Sequence, residues 1–189
     1  NDSIKIKVKW NQLKQKKKTS LNFVATNVFR ETPDVTFFDA GVNGSNGSDV
    51  VIHHGAAISP PNDNEFEQYY VHHHQIDHNL VLEGSRTFTL LNPAWDEPHH
   101  VIYLNPKMGA LQIPIGTYHQ SVSGTEGSMV LNQAVRDKDF DPSKEFIPVS
   151  LRDRADLRKA KAAEPVYWIW DDGRIRRLKV ACASSKKEK

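Results

Sequence analysis

Cysteine is nearly missing from this chain. Cys182 is the only one in 189 residues, which excludes an internal disulfide and makes a cytoplasmic setting the expectation. Long apolar runs are missing as well. None approaches the roughly 18 residues that a membrane helix needs, so no membrane partner is expected, and the sequence shows no signal-peptide pattern. An excess of one charge is also lacking, since 25 Lys and Arg against 23 Asp and Glu leave a formal +2. That balance gives a nucleic-acid partner no support. Neither a Gly-rich phosphate loop nor a nucleophile elbow is present.

The positive charge that is there is uneven. Lys5, Lys7, Lys9, Lys14, Lys16, Lys17 and Lys18 crowd the first segment, and "SSKKEK" closes the chain. Such lysines read as the wet face of an edge strand and a solvated tail. In "GVNGSNGSD" the pairs Asn43-Gly44 and Asn46-Gly47 look like glycosylation sequons, but they read better as a turn.

The dominant period is two. "IKIKVKW", "LNFVATNVF", "VTFF", "DVVIHH", "FEQYYVHHH", "RTFTLL", "HHVIYL", "ALQIPIGTYHQSV" and "SMVLNQAV" read as short strands joined by Gly, Pro and Asn turns. About ten such strands in one domain-sized chain predict an antiparallel sandwich or barrel. Near residue 150 the pattern changes. "SLRDRADLRKAKAAE" predicts one helix of three turns, with Ser150 as cap and Asp153 completing a capping box. "VYWIW-DDG-RIRRLKV" then predicts a hairpin, with Trp168 and Trp170 packing it. The expected organisation is N-terminal strands over 1–48, a barrel core over 49–149, a helix and hairpin appendage over 150–181, and a basic tail over 182–189.

All nine histidines fall between residues 53 and 119. The pairs His53-His54 and His99-His100 read as one ring in and one out, with most of the four at the surface. The dense stretch is "VHHHQIDHNLVLEG", where His72, His73, His74, Asp77 and His78 precede Gly84. Asp137, Asp139 and Asp141 alternate like the start of a calcium loop, but Pro142 stands where that loop needs glycine, so they read as a charged turn.

Counting back from Gly84 gives a carboxylate, six residues and a glycine, with histidines just upstream. Downstream, "GALQIPIGTYH" supplies Gly109, Pro114, Gly116 and His119. Together these resemble the two motifs of the cupin family, over roughly residues 66–135. The chain departs from the family pattern at several points. Phe66 stands where a glycine leads the first motif, Asp77 replaces a glutamate, Gly109 lies one residue closer to its proline, and Ser123 stands where an asparagine is frequent. The triple histidine also leaves its register open, and His78 could replace Asp77 if the strand is bulged.

The resemblance implies an all-β double-stranded β-helix, the jelly roll, with one C-terminal helix and hairpin. It implies a divalent metal ion, such as iron, manganese, zinc or nickel, held by His72, His74, Asp77 and His119. The order of preference runs His74 and His119, then His72, then Asp77, with His73 and His78 as reserves. The expected function is a metal-dependent enzyme of dioxygenase type on a small polar substrate, working as a homodimer. One alternative is an isomerase or epimerase of a sugar or nucleotide sugar, in which His119 is a base and Tyr118, Tyr103 or Tyr70 its acid partner. Another is a non-catalytic module that binds a sugar or other small molecule. Arg86 and Lys107 are candidates for anionic substrate groups, though each reads more readily as solvent-facing.

Overall fold

The computed structural model describes residues 21–180. The predicted Lys-rich strand from Ile4 to Trp10 and the basic tail from residue 182 lie outside them. In chain order the strands are β1 (Phe23–Val24), β2 (Asn27–Glu31), β3 (Thr36–Asp39), β4 (Gly47–His53), β5 (Ala57–Ser59), β6 (Gln68–Tyr69), β7 (Gln75–Gly84) and β8 (Arg86–Leu91). They continue with β9 (His99–Leu104), β10 (Ala110–Ile113), β11 (Tyr118–Ser123), β12 (Ser128–Arg136), β13 (Val149–Ser150), β14 (Val166–Asp171) and β15 (Arg174–Lys179). Two short helices are α1 (Pro142–Glu145) and α2 (Ala155–Ala162).

Two sheets face each other. One runs β1-β10-β7-β12-β4 and the other β15-β14-β9-β8-β11-β5. The inner eight, β4-β12-β7-β10 over β5-β11-β8-β9, are wound so that consecutive strands alternate between the sheets or pair across a turn. This is the jelly roll that the sequence predicts. Period-two alternation divides the interior into two halves. Between the β7–β10 and β8–β9 pairs lie Val81, Leu111, Ile113, Phe88, Leu90, Ile102 and Leu104, all buried, with Met108 and Trp95 closing the cluster. On the β12–β4 and β11–β5 side the inward positions turn polar: Asp49, Asn132, His119, Ser121 and Ser123.

The hairpin β14–β15 forms as predicted. Its turn uses Asp172 at φ 50° and Gly173 at φ 72°, the left-handed pair of a type I′ connection. β14 lies parallel to β9, so the appendage extends the sheet. Trp168 and Trp170 pack on the core as expected, and Ile175 joins them.

Four expectations need correcting. The helix is shorter than three turns, because Arg154 is extended (φ −131°, ψ 95°) and splits the segment. Ser150 caps a single 3-10 turn over Leu151–Asp153, and α2 starts afterwards without a side-chain cap. "FEQYYVHHH" yields only two strand residues, Gln68 and Tyr69. His99 and His100 do not alternate in and out. Both are buried, His99 with Nδ1 3.1 Å from the Ala163 carbonyl and His100 between the Glu97 carbonyl and the Trp168 indole. Finally, His53 and His54 do alternate as expected, one buried and one exposed, so three of the four histidines are buried where most were expected at the surface.

Candidate active site

The site is set by where β7 begins. His72, His73 and His74 precede the strand, and each is tied to a different neighbour. The His72 carbonyl accepts from Gly116 N at 2.9 Å, His73 N donates to Glu145 Oε2 at 2.8 Å, and the His74 carbonyl accepts from Asp137 N at 3.1 Å. From Gln75 onward the strand alternates, with Gln75, Asp77 and Asn79 facing the interior cavity. The one register shift between β7 and β12 falls beside Leu82, since Met129 pairs with Glu83 and Val130 with Val81. It lies beyond Asp77 and does not rotate it outward. His119 is delivered by the turn through Pro114 and Gly116 (φ 76°). Its backbone is then fixed by reciprocal bonds with Tyr70, N to O 2.8 Å and O to N 2.9 Å.

Three side chains therefore converge: His72, Asp77 and His119, each less than 8 % exposed. His72 Nε2 lies 3.4 Å and His119 Nε2 3.6 Å from the same carboxylate oxygen, Asp77 Oδ2. The far sides of Asp77 and His119 are held as well. Gln75 and Asn132 donate to Asp77 Oδ1 at 2.6 and 2.9 Å. His119 Nδ1 lies 3.3 Å from the Thr117 carbonyl. His72 Nδ1 lies 3.5 Å from Glu145 Oε2, too poorly aligned for a full hydrogen bond. Phe146 stands edge-on to the His72 ring at 5.1 Å and to Tyr70 at 6.3 Å.

Charge follows from these contacts. Burial pushes the His119 imidazole down to about 4, against a smaller upward pull from Asp77. Burial pulls the same way on His72, but the hydrogen bond and charge of Asp77 and the charge of Glu145 outweigh it, and the net direction is up. Burial would raise Asp77, yet its bond to His72, the charges of both histidines and the Asn132 amide hold it down at about 2. The carboxylate stays ionised, and His119 stays neutral.

These groups open on a cavity of about 280 Å³ lined also by Tyr70, Asn79, Arg86, Phe88, Ser121 and Phe146. The three donor atoms lie within 4.8 Å of one another. Two imidazoles and one carboxylate on one side of a cavity are a ligand set with room for further ligands. A ring nitrogen placed on a backbone carbonyl, as His119 Nδ1 is on Thr117, is the support such ligands ordinarily have. The residues fit a divalent ion.

The other predicted residues lie elsewhere. His74 points to the surface and pairs with Asp137 at 3.0 Å. With Asp139 it forms a separate, largely exposed cluster. His73 is exposed. His78 faces out of the barrel, bonded to the Gln133 carbonyl and the Gln112 amide. Tyr118 points outward, with Arg154 on its hydroxyl at 2.8 Å. Tyr103 is exposed and stacks on Tyr167. Of the three tyrosines, only Tyr70 lines the cavity. Lys107 is exposed on a turn, whereas Arg86 is buried at the cavity and not solvent-facing. Asp141 accepts from Ser143 N as the cap of α1, and Asp137 accepts from Asp139 N. The three aspartates thus serve as turn residues.

Sequence reading missed Gln75, Asn132, Glu145 and Phe146. Gln75 and Asn132 carry a signal, since they are buried polar residues at inward positions of their strands. Glu145 carries none, because "DPSKEF" looks like any exposed helical turn.

No family model matches this sequence, and no curated protein matches it either. Among solved structures the chain is similar to a double mutant of the QdtA 3,4-ketoisomerase from Thermoanaerobacterium thermosaccharolyticum, in complex with TDP. Identity is 17 %, the TM-score is 0.47, and the likeness covers 75 % of this chain and 93 % of that one. The strand order itself makes this chain a jelly roll.

Proposed function

We propose that the protein is an enzyme for a small polar molecule and that His72, Asp77 and His119 bind a divalent metal ion in its cavity. One observation carries this reading: two imidazole Nε2 atoms turn toward a single carboxylate oxygen while the backs of Asp77 and His119 are held by other residues. A bound ion would act as a Lewis acid and, if redox-active, would suit dioxygenase chemistry. The chain supplies the rest. Gln75 and Asn132 fix the carboxylate, Glu145 and the Thr117 carbonyl orient the rings, and Phe88 and Phe146 limit water. Three of the six groups named here, Gln75, Asn132 and Glu145, are polar side chains that nothing in the hydrophobic core requires.

Metal analysis of the full chain tests this. Wild type and His74→Ala are expected to carry about one metal ion per chain, and His72→Ala, Asp77→Ala and His119→Ala to lose most of it. Retention of metal in all three of those variants would overturn the reading.

The second reading is a metal-free isomerase or epimerase. The observation in its favour is the His72–Asp77 ion pair, which makes a proton-transfer dyad, with Tyr70 on the same cavity wall as acid partner. Turnover of a sugar substrate by protein stripped of metal would select it.

A further inference from the structure

Arg86 opens β8 and is 2 % exposed. Its guanidinium is locked by neutral acceptors alone. Nε donates to Ser128 Oγ at 2.8 Å, and Nη2 donates to the Val51 and Ser128 carbonyls at 3.1 and 3.2 Å. Ser128 Oγ lies 2.6 Å from Ser123 Oγ, which lies 2.8 Å from His53 Nδ1. That chain spreads the polarity of the cation into hydroxyls and an imidazole but brings no negative charge.

The carboxylates on the cavity wall are engaged elsewhere. Asp49 pairs with Arg136 at 2.5 Å, and Asp77 belongs to His72, Gln75 and Asn132. Burial pulls the Arg86 guanidinium down to about 10, and no neighbouring charge opposes it. Among the described residues Nη1 makes no hydrogen bond, and it is not sealed from the cavity that Arg86 lines. A buried cation without a counter-ion is costly. An anionic ligand removes that cost, and it does so only when bound.

We propose that the substrate carries one carboxylate group and that Arg86 binds it through Nη1. The charge balance selects the class. One unpaired cation with one free nitrogen matches one monoanionic carboxylate. Anchored there, the substrate presents its other end to His72, Asp77 and His119 across the same cavity. This inference rests on reading that cavity as the active site.

Lactate and its neutral counterpart lactamide are the probes, followed by nitrogen-15 NMR of the Arg86 Nε–H signal in the full chain as purified. Lactate is expected to shift the signal saturably and lactamide to leave it in place. Arg86→Gln is expected to weaken lactate binding at least tenfold, and Arg86→Lys to retain part of it. An unmoved signal with lactate, equal binding of lactamide, or an unaltered Arg86→Gln would overturn the proposal. So would inorganic phosphate binding more tightly than lactate. Should Arg86→Gln fail to fold, the two probes on wild type still decide. Metal content of the same sample separates this inference from the metal reading. Metal present with an unmoved signal defeats the carboxylate site alone, and a shifted signal without metal defeats the metal centre alone.

Discussion

His53 shows what a single buried side chain contributes. Burial, and then the charge of Arg86, pushes its imidazole down to about 4, so the folded protein holds the ring neutral. The unfolded chain takes up the proton near the ordinary value of 6.5. The contribution is therefore fully present above pH 6.5 and is lost as pH falls toward 4. Between pH 7.5 and pH 5 this amounts to about 2 kcal/mol. Urea unfolding at the two values checks it, and His53→Gln is expected to show a loss smaller by about that amount. The same scale explains the histidine triplet. From the sequence, the carboxylate and His119 are legible through their spacing to Gly84 and Pro114, whereas the choice among His72, His73 and His74 is not. Period two assigns facing only inside a strand, and the strand begins at Gln75. The three histidines lie before it, so their directions follow from Gly116, Glu145 and Asp137, partners that are 44, 72 and 63 residues away in sequence or nearly so.

Among the elements, the turns carry the most specific demands. Gly84 at φ 73° ends β7, and a Cβ there would sit 2.7 Å from the Gly127 carbonyl. Gly116 at φ 76° faces open space. Both belong to the two motifs, yet their costs differ. Gly116→Ala is expected to lose about 1 kcal/mol from backbone conformation alone, and Gly84→Ala about 2 kcal/mol or more because backbone must also move. Thermal unfolding of the two variants checks the order. The C-terminal helix makes the complementary point. Ser150 is a good cap by sequence and does cap, accepting from Arg152 N at 3.2 Å. The turn it caps is a short one, because Arg158 reaches back to the Leu151 and Arg152 carbonyls and Arg154 leaves helical geometry to meet Asp156 and Tyr118.

At the scale of the whole molecule, the outer face of the five-stranded sheet carries exposed apolar side chains. Val50 and Ile52 on β4 are 58 % and 47 % exposed, and Leu82 on β7 is 48 % exposed. Register sets Met129 beside Ile52 and Leu131 beside Val50, so these side chains adjoin. A contiguous apolar patch of this kind suits association, and it supplies a face for the expected homodimer. Light scattering is expected to give twice the mass of one chain for wild type and the mass of one chain for Val50→Lys combined with Ile52→Lys. Wild type at the mass of one chain would refute this.

The sequence by itself determined the jelly roll, the C-terminal hairpin, and the convergence of a carboxylate with a histidine from a second motif. The β layers and the hairpin rest on local rules, period two and Asp-Gly turn chemistry, whereas the jelly roll and the convergence are what the resemblance to the cupin motifs implies. Tertiary structure alone decided that His72 and not His74 joins Asp77, that Glu145 stands behind it, and that Arg86 is buried without a counter-ion. Those outcomes depend on contacts between segments far apart in the chain, and no periodicity within one segment encodes which distant group a side chain will meet.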